Sequence, residues 1–182
     1  MAIKQINKDT EIVVRNNTHG GFFYQSRNGE MVIDLDEYGD EDRVTFGELT
    51  KNASRLRKVL KNLNLVIVEV IGEDDIRIKD VVERLKIKDS YDELLSLADE
   101  KLEDVDYIDA DIIREFVQDS ESSSIHKILA NKKSCLHYAI AEMVTELYRT
   151  NEVSDLNKMK HVSELLGYET SSHFWNDIKK EN

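Results

Sequence analysis

The chain has 182 residues, 40% of them hydrophobic, and 25 Lys and Arg against 37 Asp and Glu give it a net charge of −12, so it can bury a real core and is not a disordered tail. That charge opposes non-specific attraction to phosphate backbones and anionic membranes and favours basic partners. A single cysteine, Cys135, excludes an internal disulfide and a cysteine-cluster metal site, and suits a reducing cytoplasm or a particle assembled in one.

The opening segment, MAIKQINKDTEIVV, lacks an unbroken apolar stretch of the signal-peptide kind. No apolar run approaches the roughly 18 residues that span a bilayer, so the expected product is soluble and intracellular when made. Charge and glycine both divide the chain near residue 72. Residues 1–72 carry 10 basic and 11 acidic side chains and six of the seven glycines, whereas residues 73–182 carry 15 basic and 26 acidic. Turn chemistry therefore ends where helix-period patterning begins.

In the first part, Glu11 to Arg15 and Gly21 to Gln25 are short runs rich in β-branched and aromatic residues, bounded by polar turns, and they predict strands. Asn28-Gly29 is a hairpin signal, because both residues tolerate the positive φ of a two-residue turn, and Met31 to Ile33 supplies the returning strand. A further turn is expected at Tyr38-Gly39-Asp40, then a strand at Val44 to Phe46. Leu49, Ala53, Leu56, Val59, Leu60 and Leu63 fall at helical spacing, and Leu65 to Ile71 is a nearly continuous apolar strand. The sum predicts a small β-barrel or rolled sheet with one inserted helix over residues 1–72.

Residues 73–182 predict an acidic helical domain of five or six short helices, making the fold class α+β. Apolar positions recur through Ile76 to Ile87, Leu94 to Leu102 and Ile108 to Val117. Ser122 to Ser124 offer an N-cap for the segment containing Ile125 and Leu129. Leu136, Ile140, Met143, Val144 and Leu147 form the clearest amphipathic stripe. Ser154 is the expected cap of a helix that ends at Gly167, a left-handed C′ residue, and a last segment carries Phe174, Trp175 and Ile178. No proline and no linker separate the two parts.

Motifs for chemistry are sparse. Asp34, Asp36, Asp40 and Asp42 alternate around Gly39 as carboxylates do in calcium loops, but Tyr38 and Thr45 stand where ligands belong, so a solvated hairpin is the expectation. The five histidines never share i, i+3 or i, i+4 spacing with one another, and Cys135 and His137 splay on a helix, so no metal site is expected. Cys135 lacks an electropositive setting and reads as inert. Gly20-Gly21 is not followed by the Lys and Ser/Thr of a phosphate-binding loop. Neither a catalytic residue nor a cofactor is expected, and the chain reads as non-enzymatic.

Three surfaces are candidates for partner contact. Residues 89–121 hold 13 acidic side chains, Asp104, Asp106 and Asp109 among them, against Lys101 and Arg114. This is either a solvated helical face or a docking surface for a basic partner, including mimicry of nucleic-acid phosphates. Lys51, Arg55, Arg57, Lys58 and Lys61 form a basic cluster that could meet an acidic surface, including that of a second copy. Phe174 and Trp175 are core or interface anchors.

The stretch His161 to Tyr168, followed by Ser171-Ser172-His173-Phe174-Trp175, resembles the second helix-turn-helix of AraC-type transcription regulators. That likeness implies a recognition helix presenting Ser172, His173 and Asn176 to base edges, though no arginine lies in it. A second, longer resemblance runs through Ile12 to Asn17, Gly20 to Tyr24, the acidic turn and Val44 to Leu49. It is to small tailed-phage-encoded structural proteins that pair an N-terminal SH3-like barrel with a helical C-terminal region. This resemblance implies a virion protein, capsid- or neck-associated, whose partner is a phage shell or neck protein; a homo-oligomer is the further expectation from the basic cluster. The alternative is a regulator that binds DNA through its C-terminal helices or a basic DNA-binding protein through its acidic surface.

Overall fold

The computed structural model describes residues 4–72, 75–109, 111–167 and 172–178. Its fold is α+β. Strands β1 (Glu11–Asn16), β2 (Phe22–Gln25), β3 (Val32–Leu35) and β4 (Glu41–Thr45) lead into helices α1 (Phe46–Lys51) and α2 (Ala53–Lys61), then strand β5 (Leu65–Ile71). Helices α3 (Ile78–Leu85), α4 (Lys88–Leu95), α5 (Ile112–Asp119), α6 (Ser122–Ala130), α7 (Leu136–Arg149), α8 (Leu156–Leu166) and α9 (Ser172–Ile178) follow, with a 3-10 turn at Ser96–Ala98. The second part thus holds seven α-helices among the described residues, where five or six were expected.

The strands do not close into a barrel, which corrects that expectation. They make a three-stranded antiparallel sheet in the order β4-β1-β5 and a separate β2-β3 ribbon. Asn16 explains the separation. Its side-chain amide donates to the carbonyls of Gly20 and Glu37, at 2.7 and 2.9 Å, and its backbone C=O accepts from Gly39. The loops flanking the ribbon are therefore held by the last residue of β1, while no ladder joins β1 to β2 or β3. The far edge of β5 is covered instead by the second part of the chain: Glu69 bridges to Tyr107, and the Ile108 N–H donates to the Val68 carbonyl at 2.9 Å. A covered edge needs no barrel closure.

The inserted helix is two helices. Asn52 breaks it, because its side-chain amide donates to the Glu48 carbonyl at 2.9 Å while its own carbonyl accepts from Arg55 and Leu56. A capping box opens α1: Thr45 Oγ1 accepts from the Glu48 N–H, and Glu48 Oε2 accepts from the Thr45 N–H. Two expected caps also shift. The cap of α8 is Asp155, whose carboxylate accepts from the N–H groups of Asn157 and Lys158, and α6 begins at Ser122 itself with Glu121 before it.

One continuous core runs from β1 through α9 and includes Ile12, Leu56, Ile67, Tyr91, Ile113, Val144 and Trp175. The two parts are also stapled by polar bonds. Arg15, 3% exposed, reaches from β1 to the carbonyls of Ile108 and Asp109 at 3.2 and 3.1 Å. Glu142 of α7 receives the N–H and imidazole of His19. No described helix is long and apolar enough to cross a membrane.

Candidate functional site

Helix α2 turns Leu56 and Leu60 into the core, and the 3.6-residue period then sends Arg55, Arg57, Lys58 and Lys61 to solvent. Among the described residues none of these four has a carboxylate within 4.0 Å; the same holds for Lys8, Arg27, Arg84, Lys86, Lys101, Lys127, Lys132 and Lys133, whereas Lys4, Arg15, Arg43, Arg77, Lys79, Lys88, Arg114, Arg149 and Lys160 are paired. Helix α2 is thus one of several unpaired basic stretches and is distinguished by four such charges between residues 55 and 61. Lys51 stands 4.0 Å from Glu30, a contact too exposed to neutralise the face. Lys51 and Arg55 line one open groove of about 450 Å³ with Asn28, Met31 and Asn52, between the hairpin turn and the junction of α1 with α2. Lys58 lies one turn further along α2.

The ribbon beside that groove carries a feature that the sequence reading missed. Alternation along β2 and β3 puts Phe23 and Val32 on the outer face, 64% and 45% exposed. Phe23 lies inside a run that reads as an ordinary strand, and which face of a strand is covered depends on neighbours that a local pattern does not contain. Tyr24, on the other face of β2, donates its hydroxyl to Asn52 Oδ1 at 2.9 Å, so Phe23 and Val32 are turned away from the α1–α2 junction.

The acidic run is less uniform than its count suggests. Asp104, Asp106 and Asp109 are all exposed. Asp106 pairs with Arg77 at 3.2 Å, and Asp109 uses Oδ1 to accept the Asp111 N–H at 2.9 Å. Glu103 pairs with Lys79, Asp92 with Lys88 and Asp111 with Arg114, while Asp104 makes no side-chain bond among the described residues. Part of the run thus neutralises basic side chains of α3, α4 and α5, and the remainder faces solvent.

At the C-terminal end the two aromatic candidates divide. Trp175 is 7% exposed, packs edge-on to Tyr148 with ring centroids 5.0 Å apart, and donates its indole N–H to Ser163 Oγ at 2.9 Å. Its role inside this chain is to fasten α9 to α7 and α8. Phe174 is half-buried against it. Asn176 is exposed, whereas the side chains of Ser172 and His173 and residues 168–171 lie outside the described residues.

Cys135 precedes α7, and its thiol donates to Glu93 Oε2 of α4 at 2.8 Å. Burial first, and then this bond to a carboxylate, push the thiol up to about 12. Burial also works to raise Glu93, but hydrogen bonds from Cys135 and Ser134 outweigh it and hold the carboxyl below its usual range. The pair is a docking contact between α4 and the start of α7, with the thiol kept protonated.

In the acidic hairpin, Asp40 Oδ2 accepts the N–H groups of Asp36 and Glu37 at 3.0 and 2.9 Å, and Asp42 accepts from the Arg43 N–H. Asp40 thus closes the turn by reaching back to the N–H groups at its start. The histidines bring a different result. His126 of α6 and His161 of α8 meet with Nδ1 atoms 3.1 Å apart, and Glu164 Oε2 lies 3.4 Å from His161 Nδ1. Spacing along one helix does not register a pair drawn from two. Compared with family models, curated proteins and solved structures, the chain finds no match in any of the three.

Proposed function

We propose that this protein acts by surface recognition of a protein partner, as a non-enzymatic structural or accessory component of a tailed-phage particle, associated with its capsid or neck. The observation that supports recognition is the α2 face, where Arg55, Arg57, Lys58 and Lys61 stand exposed with no carboxylate in reach among the described residues, on a chain of net charge −12. Clustered like charges repel one another, and an acidic surface on a partner relieves that repulsion while fixing orientation. Phe23 and Val32, on the ribbon face turned away from the α1–α2 junction, are a separate exposed apolar pair. The phage setting rests on the resemblance of the N-terminal strand-and-turn order, followed by a helical region, to small phage-encoded structural proteins, and a virion location goes with it.

The test is co-purification with the particle's shell and neck proteins. Arg55→Glu with Lys58→Glu is expected to abolish association while leaving the fold intact, since both side chains are exposed. Retention of the double variant at wild-type level would remove the α2 face from the account.

A second reading, a regulator that acts on a basic DNA-binding protein, draws on the exposed remainder of the acidic run, Asp104 included. It would show itself as competition with DNA for that protein. Direct DNA binding through the C-terminal helices would instead give an affinity that falls steeply with salt.

A further inference from the structure

We propose that His126, His161 and Glu164 form a zinc site that clips α6 to α8. His161 and Glu164 stand one turn apart on α8, and α6 packs alongside and brings in His126. A donor atom from each of the three lies within 4.8 Å of the other two. Two ligands about 2.0–2.1 Å from Zn²⁺ at the tetrahedral angle stand roughly 3.3 Å apart. The separations here are 3.1 Å between the two Nδ1 atoms and 3.4 Å from His161 Nδ1 to Glu164 Oε2, each close to that span, with the third pair within 4.8 Å.

Two further features fit this assignment. The imidazole rings lie 4.4 Å apart and tilted by 44°, with like nitrogens facing each other, a contact that without an ion requires one ring to donate Nδ1–H and the other to present a bare Nδ1. A metal ion between them uses the lone pair of both. Glu164 also divides its two oxygens: Oε1 lies 3.9 Å from Lys160, leaving Oε2 turned toward His161. A partner for the non-ligating oxygen is what orients a metal-bound carboxylate.

The donor set names the ion class. Two imidazoles and a carboxylate suit Zn²⁺ or its borderline neighbours, whereas Ca²⁺ and Mg²⁺ take oxygen shells. A recess of about 320 Å³ opens over the three side chains, so the fourth position is left to water. Holding α6 on α8 is a purpose independent of the α2 face.

The experiment uses the full chain stripped with a chelator. Zn²⁺ is titrated in competition with a chromophoric chelator, and Co²⁺ is added separately to read coordination number from its visible absorption. One equivalent of Zn²⁺ is expected to bind, with four-coordinate Co²⁺ absorption and a Tm that rises with free Zn²⁺. His126→Gln and His161→Gln are each expected to weaken binding more than about tenfold, because loss even of a ligand's outer partner costs 10–100-fold. His137→Gln serves as a control and is expected to bind as wild type. Circular dichroism of each variant establishes that it is folded. Absence of one-to-one binding by the folded wild type would overturn the site, as would equal affinity in a folded H126Q/H161Q double variant, which would assign the zinc to surface carboxylates.

Discussion

The hydroxyl oxygen of Tyr91 accepts a 2.7 Å hydrogen bond from the backbone N–H of Ile67, tying α4 to the middle of β5. The bond sits at a β-bulge. Val13 pairs with Glu69 and Val14 with Ile67, leaving Val68 as the extra residue of β5. The carbonyl of that extra residue accepts the Ile108 N–H, so Tyr91 and Ile108 together satisfy the bulge from the helical side. Burial pushes the Tyr91 phenol well above its ordinary pKa, and it serves as a neutral, fixed acceptor.

Tyr91→Phe deletes only the oxygen, at a position with 0% exposure, and strands a buried backbone N–H. Equilibrium denaturant unfolding is expected to show a loss of about 1–3 kcal/mol with an unchanged m-value. A loss below measurement error would mean that Ile67 is satisfied some other way.

Gly47 tests a close approach of backbone to backbone. A Cβ built there stands 2.9 Å from the Lys8 carbonyl oxygen, to which Gly47 also donates its N–H at 2.8 Å. Gly47→Ala is expected to cost about 1–3 kcal/mol by overpacking, while Gly20→Ala, with nothing within 4 Å, is expected to be near neutral. Thermal unfolding of the two variants side by side checks the contrast.

The contact of His19 with Glu142 makes part of the stability depend on pH. Burial works to raise Glu142, but the hydrogen bonds from the His19 ring and backbone prevail and its pKa is lowered. For a depressed carboxyl the contribution is complete above the unfolded value of about 4.3 and is lost as pH falls through the folded one. Glu142→Gln is therefore expected to reduce stability at pH 6–7 and to flatten the acid limb of a stability profile measured from about pH 3 to 7. An acid limb as steep in the variant as in wild type would place the effect elsewhere.

Cys135 provides a chemical readout of the α4–α7 contact. With its thiol near 12, a free thiol near 8.5 and attack requiring the thiolate, labelling at pH 8 is expected to run about three orders of magnitude slower in the native chain than in the denatured one. Iodoacetamide kinetics followed by mass checks this. Rapid native labelling would mean that the Glu93 contact opens readily.

Local elements were legible where local physics decides them. Asn28-Gly29 marks the β2–β3 hairpin, where Gly29 has φ 71°, and the stripe from Leu136 to Leu147 marks α7. Gly167, with φ 70°, ends α8 in the left-handed conformation its position implies. What escaped the sequence depends on neighbours distant along the chain. A small barrel or a rolled sheet was expected because strands followed one another, yet no barrel closes and the edge of β5 is taken by Tyr107, Ile108 and Tyr91, residues from the helical part. The break at Asn52 turns on a single side-chain bond to Glu48 that helical periodicity does not register. The exposure of Phe23, the burial of Trp175 and the meeting of His126 with His161 are all set by which helix or ribbon packs beside them. In the candidate surfaces, residue type was readable for Lys51, Arg55 and Lys58, but the contact of Lys51 with Glu30 and the lack of a carboxylate within 4.0 Å of Arg55 and Lys58 among the described residues were not.

The most direct measurement of the central claim is quantitative mass spectrometry of purified particles from the genetic element that encodes this chain, with copy number taken against the major shell protein. The account expects a fixed, stoichiometric copy number, lost in particles grown with Arg55→Glu and Lys58→Glu. Reproducible absence from particles, with the protein abundant in the infected cell, would contradict it.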